Sequence, residues 1–119
     1  MDLEDTPARD LTPLANNYFY SLSLEGMDID DFAVLSKIHI DDSLNLSRTN
    51  IEDLRPLNRH VHLEYLGLNE TKVRDLSPLY GLKDLRHVQL KGTQVSAEEI
   101  MKLEAALPDC YVAIDEIEQ

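Results

Sequence analysis

Short apolar kernels recur along this chain at one fixed interval. Leu22, Leu44, Leu66 and Val88 stand 22 residues apart, as do Leu24, Leu46, Leu68 and Leu90, and a further step of 22 lands on Val112. Inside each kernel apolar and polar residues alternate, the two-residue period of a strand with one face buried. A unit this short cannot bury its own apolar side, so the copies must stack. A period in the range of about 20–29 residues therefore predicts a solenoid whose strands form one parallel sheet, about 4.8 Å apart.

The columns between the kernels carry the rest of the coil. The clearest unit runs from Leu63 to Leu79 and reads L-x-x-L-x-L-x-x-T-x-V-x-D-L-x-P-L. Thr49, Thr71 and Thr93 fall where the chain leaves the strand, and their hydroxyls can satisfy backbone groups there. Met27 takes that column in the first full repeat, which predicts a looser turn. Ile51, Val73 and Val95 bring the chain back to the core. The aspartates of D-L-x-P-L can cap the next turn, and proline fits early in a helix but keeps it short, so the outer side should be 3-10 turns. Asp10-Leu11-Thr12-Pro13-Leu14 is a half-repeat followed by a loop one residue shorter.

Two positions break the ladder. Asp41 falls in the column of Leu63, Leu85 and Leu107, and His60 in the column of Ile38 and Leu82. Irregular structure is expected at 38–43 and 58–63, with Ile40 or Val61 turned inward instead. The end of the chain changes style. Ser96-Ala97-Glu98-Glu99 is a capping box, followed by Ile100, Leu103 and Leu107 at helical spacing, which predicts a true helix over about 97–106. Pro108 stops it, and 110–114 makes a last strand with Cys110 and Val112 in the leucine columns. Residues 1–9 are expected to be an acidic tail or cap, and 10–119 a repeat domain of about four and a half units.

The 22-residue period, the T-x-I/V column and D-L-x-P-L resemble the leucine-rich repeats of the internalin and phosphatase-regulator (SDS22-like) type. The resemblance covers about residues 10–114. It implies an α/β leucine-rich repeat solenoid with a concave parallel sheet, 3-10 turns outside and a C-terminal capping helix. It also implies binding of other proteins through the concave face. The closing Ala106-Leu107-Pro108-Asp109-Cys110-Tyr111-Val112 resembles the terminal unit of many small bacterial repeat proteins.

On each strand the residues beside the leucines face outward and make three candidate protein-binding columns. The first holds Ser21, Ser43, Tyr65 and His87. The second holds Ser23, Asn45, Gly67, Gln89 and Tyr111, and the third holds Glu25, Ser47, Asn69 and Lys91. Tyr65 and His87 should be lateral neighbours, and Gly67 should leave a gap beside Asn45 and Gln89 for a partner side chain. Exposed tyrosines make good anchors because they combine area with a hydrogen bond. Five strands span roughly 20–25 Å, too little for the roughly 800 Å² per side of a stable globular interface. A peptide ligand, or added contacts from edges and loops, would fit.

Charge sharpens the expectation. The sequence carries 23 acids against 11 bases, a net charge of -12. That field repels nucleic acid and anionic membrane and attracts a basic partner. The acidic N-terminus has no signal-peptide pattern, no apolar run approaches a membrane span, and Cys110 is the only cysteine, which together point to a reduced, cytoplasmic setting. Self-association is not expected.

Motifs for catalysis are missing. The four glycines are scattered, no G-x-S-x-G occurs, and Cys110 sits in a core column where a buried thiol is inert. His60-Val61-His62 lacks zinc spacing, and Asp28, Asp30 and Asp31 lack the glycine and closing glutamate of a calcium loop. No cofactor, metal or catalytic residue is expected. The leading reading is a non-catalytic interaction module; the alternatives are a small acidic inhibitor of the immunity type and a regulatory subunit of a larger enzyme.

Overall fold

A computed structural model describes residues 10–114. Five short parallel strands pair in chain order: β1 (Tyr18–Ser23), β2 (His39–Asn45), β3 (Tyr65–Gly67), β4 (His87–Gln89) and β5 (Tyr111–Ala113). The outer connections are 3-10 turns at Thr12–Leu14, Phe32–Lys37, Arg55–Leu57 and Ser77–Leu79, and then one α-helix, α1 (Ala97–Ala106). The chain is thus a leucine-rich repeat solenoid. Leu22, Leu44, Leu66 and Val88 form one continuous buried row and Leu24, Leu46, Leu68 and Leu90 a second.

Each recurring residue type has a visible cause. Thr49, Thr71 and Thr93 donate from Oγ1 to the carbonyls of Leu46, Leu68 and Leu90 at 2.7–2.8 Å. Met27 has no such hydroxyl. Its turn closes through the backbone alone: its N–H reaches Leu24 O at 3.1 Å, and its side chain is buried. Asp10, Asp31, Asp53 and Asp75 each accept at 2.9 Å from the backbone N–H two residues on; Asp31 is the N-cap of its 3-10 turn, and the other three stand one residue before the N-caps of theirs. A proline near the start of three of these turns keeps them short.

The residues that leave the strands share a backbone state as well as a spacing. Gly26, Arg48, Glu70 and Gly92 all have φ between 56° and 80°. They are 22 residues apart, and the N–H of each of the first three bonds to the carbonyl of the next coil. Two of the four are not glycine and carry the cost of a Cβ in the left-handed region.

The two ladder flaws resolve differently. Ile40 turns inward, leaving Asp41 half-exposed, and the β1–β2 register slips there: Phe19 pairs with Ile40, but Ser21 pairs with Ser43. Tyr20 thus stands opposite both Asp41 and Asp42, a β-bulge. At 58–63 His60 itself stays inside, while Val61 is 48% exposed.

The last coil departs from the count of 22. Val112 pairs with Val88, 24 residues back, and Tyr111 pairs with His87. A ten-residue helix replaces a three-residue turn here, and the longer path shifts the strand by two. Val112 therefore extends the row of Leu66 and Val88, not that of Leu68 and Leu90, and is half-buried. Cys110 is buried in the position of Leu63 and Leu85. Leu107, not expected there, takes that of His60 and Leu82, as the matching turn hydrogen bonds show. Ser96 caps α1 by accepting from Glu99 N–H at 3.2 Å. The Glu99 carboxylate accepts from Leu76 N–H in the preceding coil at 3.2 Å, tying the helix to the stack.

Candidate protein-binding face

The concave columns are built by the strands just described. In the first, the Ser43 hydroxyl donates to Ser21 Oγ at 2.7 Å. Next, the rings of Tyr65 and His87 lie 5.3 Å apart, and those of His87 and Tyr111 5.1 Å apart, tilted at 36° and 55°. Three aromatic rings on adjacent strands therefore form one contiguous row. Tyr111 belongs to this first column, not to the second where the 22-residue count puts it, because of the two-residue shift in the last coil. It is 64% exposed, while Tyr65 and His87 are half-buried. Burial, then the charge of Glu25, holds the Tyr65 phenol above its ordinary pKa, so it is a neutral donor and acceptor across the physiological range.

The second and third columns are bound to one another. Asn45 donates to Glu25 Oε1 at 2.8 Å and accepts from Ser47 N–H at 3.0 Å. The Ser47 hydroxyl accepts from Asn69 N–H at 3.0 Å, Asn69 accepts from Lys91 N–H at 2.9 Å, and Asn69 Nδ2 donates to Gln89 Oε1 at 2.5 Å. Glu25 is neutralised by Arg48 at 3.0 Å. This corrects two expectations. Ser47 is buried, its hydroxyl spent inside the network. Gly67 leaves no gap: a Cβ added there would meet Asn45 Oδ1 at 2.8 Å and Ser47 Oγ at 3.2 Å, because the Asn45 amide already leans over the glycine. Ser23 and Lys91 sit in the columns expected of them.

Sequence columns missed Tyr18 and Tyr20. They are 61% and 66% exposed, with Phe19 between them packed on the core. The signal was present in Tyr18-Phe19-Tyr20, two tyrosines flanking one inward residue. The Tyr18 hydroxyl donates to the Asp41 carboxylate. Beside them His39, Asp41, Arg59, His60 and His62 line a hollow of about 180 Å³. Among the described residues no group of three or more His, Cys, Asp or Glu is placed to hold a metal ion. Nor is any helix among them long and apolar enough to cross a membrane. Burial pushes the Cys110 thiol above its ordinary pKa, which suppresses the reactive thiolate.

The fold and its polar, aromatic-bearing inner sheet define a leucine-rich repeat protein. The chain is similar to a crystal structure of internalin C2 from Listeria monocytogenes, with a TM-score of 0.79 and 28% identity over 96% of this chain. It also shares its fold with an internalin, InlF, of the same organism, at a TM-score of 0.76 and 23% identity over 96% of this chain. The chain spans 50% of the first structure's length and 34% of the second's. No protein-family model matches the sequence. None of the curated proteins matches it either.

Proposed function

We propose that this protein is a non-catalytic interaction module that binds another protein through its concave face. The observation that carries this reading is the row Tyr65–His87–Tyr111, three touching rings on a sheet face otherwise lined by small polar side chains. Aromatic side chains with a polar atom are the usual energetic centres of protein interfaces. The interlocked amides beside them are held before any partner arrives, which lowers the ordering cost of binding. Similarity to the internalin fold supports the same reading. The strands are three residues long at β3, β4 and β5, so the row suits a peptide segment or a partner that also touches the turns.

Net charge of -12 favours a sharper version, an acidic inhibitor that covers the active site of a basic enzyme. Its association rate would then fall steeply with salt.

The test is capture with three baits: wild type, Tyr65→Ala/His87→Ala, and Met101→Gln on the exposed helix surface as control. A partner held by wild type and the control, and bound at least about tenfold more weakly by the double variant, is the expected result. Undiminished binding by the double variant overturns the choice of face.

A further inference from the structure

The most exposed aromatic surface of the described chain is not the stacked row but the start of β1. Tyr18 and Tyr20 stand on one side of the strand, with Phe19 turned to the core. The bulge then sets two acidic residues, Asp41 and Asp42, against the single residue Tyr20 in the backbone register. Glu64, the residue before β3, lies beside Asp42, its N–H donating to Asp42 O at 2.8 Å. Asp41 is engaged by the Tyr18 hydroxyl. Neither Asp41 nor Asp42 has a cationic partner among the described residues.

Two exposed phenol rings beside carboxylates that form no ion pair have one best-matched occupant. A guanidinium is flat enough to lie on a ring and presents N–H groups in a fork that fits a carboxylate. An ammonium supplies the charge without the plane. A second copy of this chain brings another -12 and is repelled. We propose that Tyr18, Tyr20, Asp41 and Asp42 form a subsite for an arginine side chain of a protein or peptide partner. Tyr18 fixes the Asp41 carboxylate, Tyr20 supplies the stacking face, and Asp42 takes the guanidinium fork. The proposal rests on the binding-module reading for its biological setting, yet it uses none of Tyr65, His87 or Tyr111, so the two can fail separately.

The experiment is a titration of isotope-labelled full-length protein followed by amide NMR in 0.15 M salt. The probes are the blocked pentapeptide Gly-Gly-Arg-Gly-Gly and its counterparts with citrulline, lysine or glutamate at the centre. The arginine peptide should give saturable shifts centred on Tyr18, Tyr20, Asp41 and Asp42, with the citrulline peptide at least about tenfold weaker and the lysine peptide intermediate. Tyr20→Ala and Asp42→Asn should each weaken the arginine response about fivefold or more. Tyr20→Phe, which keeps the ring, should bind as wild type. Tyr20 is exposed and Asp42→Asn preserves size, so unchanged spectra elsewhere will show that both variants fold. Equal responses to arginine and citrulline, or to arginine and lysine, overturn the proposal. So do shifts scattered over the acidic surface or variants that bind as wild type. The double change Tyr65→Ala/His87→Ala should leave this response intact, even if it abolishes capture of a partner.

Discussion

The imidazole of His60 lies inside the stack, with its Nε2 2.6 Å from the carbonyl oxygen of Leu35, one coil earlier. A carbonyl only accepts, so Nε2 carries a hydrogen and donates it to Leu35. Burial, first, and then the nearby charges of His39 and Arg59 lower its pKa from 6.5, outweighing the Leu35 bond, which acts the other way.

This predicts loss of stability in mild acid. Below about pH 6.5 the unfolded chain binds a proton that the folded chain refuses, so stability falls as the pH drops from 6.5 towards the folded pKa. At pH 5 the loss from this residue reaches at most about 2 kcal/mol. His60→Leu, which matches Leu82 and Leu107 at the same turn, should be less stable at pH 7.5 because it strands the Leu35 carbonyl. It should nevertheless lose less between pH 7.5 and pH 5. Urea denaturation at the two pH values measures both, and equal losses in variant and wild type would show that His60 does not titrate in this window.

The aspartates that lead into the 3-10 turns act in a lower range. Asp53 is held below its ordinary value of 3.8 by hydrogen bonds from the Arg55 side chain and N–H, and Asp75 by those from the Ser77 N–H and hydroxyl. Their contribution is present above about pH 4 and disappears as pH falls through the lowered values. Asp53→Ala and Asp75→Ala should each cost about 1 kcal/mol at pH 7. The penalty should vanish near pH 2, as thermal unfolding across that range will reveal.

Glu70 and Gly92 make opposite predictions from one backbone state. Glu70→Gly should raise stability by about 0.5–1 kcal/mol, since it removes a Cβ from the left-handed region. Gly92→Ala should lower it by about 1 kcal/mol or more: its φ is 74°, and the new Cβ would lie 2.9 Å from Glu70 Cγ. Because the two sites touch, Gly92→Ala should cost less when combined with Glu70→Gly, and a double-mutant cycle reads that coupling.

Gly67→Ala tests the network on the concave face. The methyl group would displace the Asn45 amide from Ser47 N–H and Glu25, at a cost of about 1–2 kcal/mol. Amide shifts should move at Glu25, Asn45, Ser47 and Asn69 and stay fixed at α1. A variant as stable as wild type would mean that Asn45 swings aside freely.

The architecture was legible because burial of a one-sided strand forces a strict period, and Leu22 to Leu90 obey it. The irregularity near Asp41 was legible for the same reason, since an acid in a leucine column must be expelled. Counting failed where coil length depends on what fills the outer side. A helix in place of a 3-10 turn adds path, and Tyr111 moved to a different column as a result. Side-chain reach was also invisible to spacing. Nothing in the interval from Asn45 to Gly67 tells that the amide bends across the glycine, nor that Ser47 withdraws its hydroxyl to serve Asn69. Tyr18 and Tyr20 lie before the register slip, so they fall outside the 22-residue columns that begin at Ser21.

The left-handed residues at Gly26, Arg48, Glu70 and Gly92 make the 22-residue stretches between them interchangeable cassettes. Excising residues 48–69 would join Ser47 to Glu70, a residue already in the conformation that Arg48 leaves behind, and would shorten the sheet by one rung of about 4.8 Å. Duplicating the same stretch would lengthen it equally. The reach of the inner surface is therefore a matter of copy number, open to change by whole steps without redesign of the core.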